Sequence, residues 1–434
     1  MMTKLRKMIH VAAAITVLGA MVPGWLSSQA NAKPQATQAP KFVVDPLWPR
    51  PLPNHWILGS VVGVAVDARD HVFVLNIGDY FNQRTEIGAA TTPATGECCT
   101  PAPPVLEFDP AGNFVAGWGG PGAGYTWPAT PSGLSIDGNA DIWVAANGAR
   151  DTRILKFKRD GTFIGQFGQA GTLSVVSPTA GAVDTAYAGA GGRSSGGGRG
   201  GRGAGPPPLP PNSNSVDSFG GATKVSFDPA ANEVYVADGS RNHRVAVMDA
   251  SSGAIKRFWG AYGNKPVDSN SPSYAADAPA AKQFGAPVQC AEVSRDGLLY
   301  VCDRANDRIQ VLRRDGTFVS EKVITPRTLG DGSVWDIAFS ADAPQRFLYV
   351  ADGMNMKVHV LDRQSLDVLS SFGDGGRQPG QFYGVHSIAT DSKGNIYTGE
   401  TYEGKRVQKF IFKGVAPVTK ANAGVVWPEA ASKP

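Results

Sequence analysis

Short runs in which apolar and polar residues alternate recur along most of the chain, punctuated by Asp, Asn and Gly. Leu299-Tyr-Val-Cys-Asp303 is one such run, and Arg308-Ile-Gln-Val-Leu312 follows it after a polar connection. Alternation with a period of two on both sides of an Asp/Asn-rich segment predicts two strands joined by a tight turn. The arrangement returns as Val234-Tyr-Val-Ala-Asp238 before Arg244-Val-Ala-Val-Met248, and as Leu348-Tyr-Val-Ala-Asp352 before Lys357-Val-His-Val-Leu361. It returns again as Ile396-Tyr-Thr-Gly-Glu400 before Arg406-Val-Gln-Lys-Phe410. Such self-similarity marks a repeat architecture.

Two earlier units extend the phrase to four strands. The first reads Gly63-Val-Ala-Val66, Val72-Phe-Val-Leu75, Val105-Leu-Glu-Phe108 and a run over 114–118, with an insertion at 77–104. The second reads Gly133-Leu-Ser-Ile136, Ile142-Trp-Val-Ala145, Arg153-Ile-Leu-Lys-Phe157 and Phe163-Ile-Gly-Gln-Phe167. Four short strands with Asp/Gly turns are the blade of a β-propeller. Six residues close a second strand: Asn76, Asn147, Asp238, Asp303, Asp352 and Glu400. The last unit lacks a fourth strand, which the early run over 42–44 supplies. The prediction is an all-β, six-bladed propeller whose ring is closed by an N-terminal strand, leaving no open sheet edge at the seam.

Composition changes this picture only at the margins. Lys4, Arg6 and Lys7 precede an apolar run over 11–22 and an Ala30-Asn-Ala32 site, the pattern of a cleaved signal peptide over 1–32. The expectation is an exported protein, periplasmic or secreted, with no membrane span after cleavage and a single domain over 33–414. A tail over 415–434 follows it. Loss of the three basic residues lowers the formal charge from +4 to +1, which argues against nucleic acid as a partner. Residues 170–216, rich in Gly, Ser and Pro, lack the apolar side chains needed to order them and are expected to be a disordered insertion.

The four cysteines meet an oxidising compartment on this reading. Cys290 and Cys302 lie symmetrically about the Arg295-Asp-Gly297 turn, so they are either free thiols or a bond across a hairpin. Cys98 and Cys99 are either free or a vicinal disulfide. Asp238, Asp303 and Asp352 recur at one repeat position, which favours a turn-capping role. Arg304 is distinctive, because the sister repeats carry Gly239, Gly353 or Thr401 there. It either binds a carboxylate ligand or braces the turn with Asp303 or Asp307. His71, His243 and His359 are read as surface residues, and Trp118, Trp143 and Trp259 as core between blades. His55 precedes the first blade with nothing beyond position to assign it.

The phrases Tyr-Val-Ala-Asp-Gly, Asp303-Arg-Ala-Asn-Asp-Arg-Ile-Gln-Val311 and Gly394-Asn-Ile-Tyr397 resemble NHL repeats. Trp56-Ile-Leu-Gly59, the run from Cys98-Cys-Thr-Pro to Leu106-Glu-Phe108, Gly117-Trp-Gly-Gly-Pro121 and Tyr300-Val-Cys-Asp-Arg304 are similar to bacterial relatives of the peptidyl-α-hydroxyglycine α-amidating lyases. The resemblance covers 41–414 apart from the insertion. It implies a zinc ion at the mouth of the central channel, held by three histidines that each precede an innermost strand, with an arginine and a tyrosine beside it. His386 matches one of those histidines. Ser132 stands at the second, Val288 or Gln289 at the third, Ser240 at the tyrosine, and isoleucine near 77 at the arginine.

One imidazole with Ser132 and Gln289 is a poor zinc set. The expected function is therefore binding of a small molecule or peptide at the channel mouth by Ser132, Ser240, Gln289, Arg304 and His386. The metal site would be degenerate, with His386 as its retained candidate ligand. Two alternatives stand beside it. One is a lyase or lactone-type hydrolase, with His386 and Arg304 catalytic and zinc or calcium in the channel. The other is a monomeric platform for protein partners.

Overall fold

A computed structural model describes residues 36–78, 86, 88, 95, 97, 99–168, 207–269, 274–418 and 426–427. The expected signal segment over 1–32, Cys98 and most of the Gly-rich insertion lie outside the described residues. Six four-stranded antiparallel sheets form the blades of a β-propeller. Their innermost strands are Ser60–Val66, Pro131–Ile136, Ala222–Asp228, Val288–Val293, Asp336–Phe339 and Val385–Thr390. Each packs against the next, and the sixth packs against the first, so the ring is closed.

The seam forms as the alternation predicted, with a longer strand. Gln38–Asp45 pairs antiparallel with Arg406–Pro417 and becomes the outer strand of the sixth blade. Phe42 sits on Tyr349 and Phe372 of the fifth blade at 5.5 and 5.4 Å between ring centroids, so this strand also fills the core between two blades. The pairing carries the sheet past residue 414, the expected end of the domain, and Val44 N–H donates to the Val426 carbonyl beyond it.

Adjacent blades meet through aromatic side chains on apolar strand faces. Trp118 packs on Phe157, Trp143 on Phe227, and Trp259 against Gly316 of the following blade. At the centre the strands approach more closely. A Cβ on Gly133 would lie 2.2 Å from the Thr223 carbonyl oxygen, so only glycine permits that approach.

The acidic residue that ends the second strand does more than cap a turn. Asp238 Oδ1 accepts from Gly220 N–H at 2.6 Å, and Asp303 Oδ1 accepts from Gly285 N–H at 2.8 Å. Glu400 Oε2 accepts from Tyr383 N–H at 2.8 Å. Each bond grips the connection that enters the innermost strand of the same blade. The second carboxylate oxygen takes the Nε–H of an arginine that starts the third strand: Arg244 on Asp238 and Arg308 on Asp303 at 2.7 Å, Arg406 on Glu400 at 2.6 Å.

The remaining guanidinium N–H groups cap carbonyls of that connection. Arg244 donates to Ser213, Ser215 and Ser218. Residues 207–216, expected to belong to the disordered insertion, are therefore ordered, and Ser213 is fully buried. Asn76 does the same work without an arginine, accepting from Gly59 N–H at 3.1 Å and donating to the Pro103 carbonyl at 2.8 Å.

In the fifth blade His359 takes the place that Gln408 has in the sixth. It bonds Asp352 through Nε2 at 3.0 Å and Ser371 through Nδ1 at 2.7 Å. The histidine expected at the surface is thus buried, because Asp352 lacks an arginine partner and uses an imidazole instead. His71 and His243 are half-buried as well, bonded to Glu107 and to the Phe284 carbonyl.

Asp238 and Arg244 are both fully buried. Removing one charge from such a pair leaves the other unpaired and costs about 3–5 kcal/mol. Asp238→Ala is expected to lower the melting temperature sharply relative to a surface control such as Asp315→Ala. Equal melting temperatures would show that the pair does not hold the connection.

Candidate functional site

The channel mouth is built by a backbone irregularity repeated around the ring. Five of the six innermost strands slip register by one residue near their start, at Val62, Ser132, Thr223, Gln289 and His386. A bulge of this kind re-aims a side chain. In the fifth blade Trp335 occupies the equivalent place, its N–H donating to Ala351 just before the strand begins. These six residues line the constriction of the channel. Gln289, not Val288, is therefore the fourth-blade residue equivalent to His386 and Ser132.

The constriction is nearly closed, with only about 10 Å³ open to the centre of a water molecule. His386 is buried, and its Nδ1 has no hydrogen-bond partner among the described residues. Burial lowers its pKa to about 3, with the Arg304 and Lys224 charges adding to the fall and a hydrogen bond to the Val62 backbone opposing it. The imidazole is therefore neutral at physiological pH. Ser132 Oγ donates toward the Ala222 and Thr223 carbonyls, each at 3.1 Å. Gln289 Oε1 accepts from Arg304 at 3.1 Å.

Arg304 is braced, but by neither Asp303 nor Asp307. Its Nε–H donates to the Asp331 carbonyl at 2.6 Å, its NH2 pairs with the Asp331 carboxylate at 3.1 Å, and its Cζ lies over the Trp335 ring, 3.9 Å from the centroid. Tyr402 donates to the same carboxylate at 2.6 Å. Sequence reasoning missed Asp331 and Tyr402 because they lie in loops with no periodic pattern, and missed Trp335 although it stands at the repeat position of His386. Ser240, half-buried, donates to the Asn147 carbonyl at 3.2 Å and forms part of the second- and third-blade rim.

The donor set does not fit a zinc ion. One neutral imidazole faces a hydroxyl and an amide, and two cations, Arg304 and Lys224, raise the energy of any metal placed beside it. Among the described residues no cluster of three or more His, Cys, Asp or Glu is arranged to hold a metal. Cys290 and Cys302, 4.8 Å apart at Cα, form a disulfide between the first two strands of the fourth blade, directly below Gln289 and Asp303. Cys99 is also disulfide-bonded; Cys98, its expected partner, lies outside the described residues.

Below the constriction Lys224 reaches from the third blade past the fourth to the fifth. Its ammonium lies 2.7 Å from Asp336 and 3.0 Å from Glu292. Asp336 in turn accepts from the Ile337 and Ile388 N–H groups at 2.9 and 3.0 Å. The pairing raises the Lys224 pKa despite its burial, while burial raises that of Glu292 against the pull of Lys224. The signal in the sequence was a lysine within an innermost strand, where the other blades carry Gly63, Gly133, Cys290, Asp336 and Ser387.

No family model matches the chain, and no curated protein matches it. Among solved structures, a structural genomics protein of unknown function from Bacteroides thetaiotaomicron VPI-5482 aligns at 12% identity. The alignment covers 87% of this chain and 77% of that one with a TM-score of 0.46.

Asp307 fixes the loop that brings Asp331 to Arg304. Its Oδ1 accepts from Ser333 N–H at 2.8 Å, while Oδ2 is buried without a hydrogen-bond partner among the described residues. Burial, with the neighbouring Asp352 and Asp303 charges, raises its pKa to about 7. An unfolded aspartate releases its proton near pH 4. Between those values the folded state alone holds the proton, so this group's contribution to stability falls as pH rises toward 7. Asp307→Asn is therefore expected to gain melting temperature relative to the parent on going from pH 4 to pH 8. A difference that does not change with pH would refute the assignment.

Proposed function

We propose that this protein is an exported propeller of the NHL type that binds a small molecule or peptide at the channel mouth where the innermost strands begin, and that it has lost the zinc site of the amidating lyases it resembles. The observation that carries this reading is the makeup of the constriction. At the three positions where the resemblance calls for imidazoles stand His386, Ser132 and Gln289, and the last is already hydrogen-bonded to a guanidinium.

A ligand larger than water cannot enter the constriction, so it docks on the rim above it. That rim offers the largely buried Arg304 over Trp335, the half-buried Tyr402 and Ser240, and the exposed side chains of Leu329 and Met354, the latter against Gly330 next to Asp331. Three of the five guanidinium N–H groups are engaged by Asp331 and Gln289, which leaves two for a carboxylate.

A set of tetrapeptides with free C-terminal carboxylates, titrated calorimetrically, tests this reading. At least one is expected to bind saturably, and Arg304→Gln should weaken it about tenfold or more, the loss of one charge-assisted hydrogen bond. Purified protein should carry far less than one zinc per chain. Stoichiometric, tightly held zinc, or affinity unchanged by Arg304→Gln, would overturn it.

Export rests on the basic, apolar and small-residue pattern of the first 32 residues and agrees with the disulfide between Cys290 and Cys302. N-terminal sequencing of protein recovered from the periplasm or medium should begin at Lys33. Full-length protein confined to the cytoplasm would refute export.

A further inference from the structure

We propose that the opposite end of the channel is a second binding site, selective for a small organic cation with an apolar body, such as a primary alkylammonium ion. The innermost strands end there in a funnel of about 390 Å³. Val66, Ile136, Phe227, Val293 and Phe339 contribute to its walls, and Lys224 and Glu292 lie at its floor. This end is separated from the Arg304 rim by the constriction.

The floor carries one positive and two negative charges, because Lys224 is shared between Asp336 and Glu292. Asp336 is consumed by the wall, since both its oxygens take backbone N–H groups as well as the ammonium. Glu292 is the carboxylate that the funnel meets, with 19% of its side chain exposed. The net charge at the floor is one negative.

The hydroxyls around it reinforce that sign. Ser135 donates its proton to the Val225 carbonyl at 2.6 Å, Ser226 to Ala291 at 2.5 Å, and Thr390 to Phe339 at 2.9 Å. With their protons spent on the backbone, these three oxygens offer the funnel only lone pairs. Among these side chains a ligand therefore meets four acceptor groups and one ammonium donor. An anion would have to displace Glu292 from Lys224, whereas an ammonium group finds acceptors and a compensating charge. The aliphatic walls accommodate an alkyl chain, so each added methylene should tighten binding about three- to fourfold.

Calorimetric titration of the full chain with butylammonium and hexylammonium chloride tests the assignment, with sodium hexanoate and hexanol as controls. Hexylammonium is expected to bind with one-to-one stoichiometry and, with two more methylenes, about tenfold more tightly than butylammonium. Glu292→Gln should weaken it about tenfold. Ala65→Phe, which fills the funnel wall without touching the charges, should abolish it. Arg304→Gln, at the other end of the channel, should leave it unchanged, so this site stands or falls apart from the rim. Absence of saturable binding, hexanoate binding as tightly as hexylammonium, or full affinity in Ala65→Phe would overturn the proposal.

Discussion

The buried carboxylate that ends the second strand in four of the six blades, Asp238, Asp303, Asp352 and Glu400, and that pairs with an arginine in three of them, is the interaction on which the rest of this propeller depends. One oxygen holds the backbone that enters the innermost strand, and the other holds an arginine whose remaining donors cap the same connection. A connection of this kind exposes carbonyls and N–H groups with no strand partner, and in a buried setting each would be costly. The carboxylate–guanidinium pair satisfies several at once. It also fixes where the innermost strand starts, and therefore where its bulge falls. The repeat positions Asn76 and Asp352, which lack an arginine, show that the requirement is for the hydrogen bonds and not for the ion pair itself.

Because the bulges sit at equivalent places, the channel acquires one ring of inward side chains, and the chemistry of that ring is set independently of the fold. Val62, Thr223 and Trp335 close it sterically, while Ser132, Gln289 and His386 give it polarity. Arg304 then adds a charge from a loop, stacked on Trp335 and tied to Asp331. The outcome is a plugged channel with two separate openings, one governed by a guanidinium and the other by a lysine shared between two carboxylates. A long passage through the centre would need small residues at several ring positions; here the largest side chain of the ring, Trp335, is locked in place by its Nε1–H bond to the Gly332 carbonyl.

Much of this was legible in the sequence, for reasons that differ by level. The six blades and a seam strand at 42–44, which the structure extends to Gln38–Asp45, followed from short alternating runs bounded by Asp, Asn and Gly turns that recur along the chain. The equivalence of Ser132 and His386 was implied by the resemblance, and both residues stand at the register slip of their strands. The fourth blade was ambiguous between Val288 and Gln289 because a bulge moves the inward residue by one, and alternation alone cannot place a bulge. Arg304 stood out as a departure from its sister repeats, yet its partners did not, since Asp331 and Tyr402 come from loops with no periodic pattern. His359 was misplaced at the surface for a related reason. Its burial follows from the missing arginine of its blade, a relation visible only when repeats are compared column by column.

Lys224 carries the same lesson into the chemistry. A lysine in an innermost strand is costly to bury, and the cost is offset only because Asp336 and Glu292 come from the next two blades at the same height in the channel. The three residues are far apart in sequence and belong to different repeats, so no local motif announces them. Once they are in place, the channel holds two cations, Arg304 above and Lys224 below, on either side of one neutral imidazole. That electrostatic setting is hostile to a dication and tolerant of a neutral histidine, which accounts for His386 remaining at the constriction without the ligand set that its position would otherwise imply.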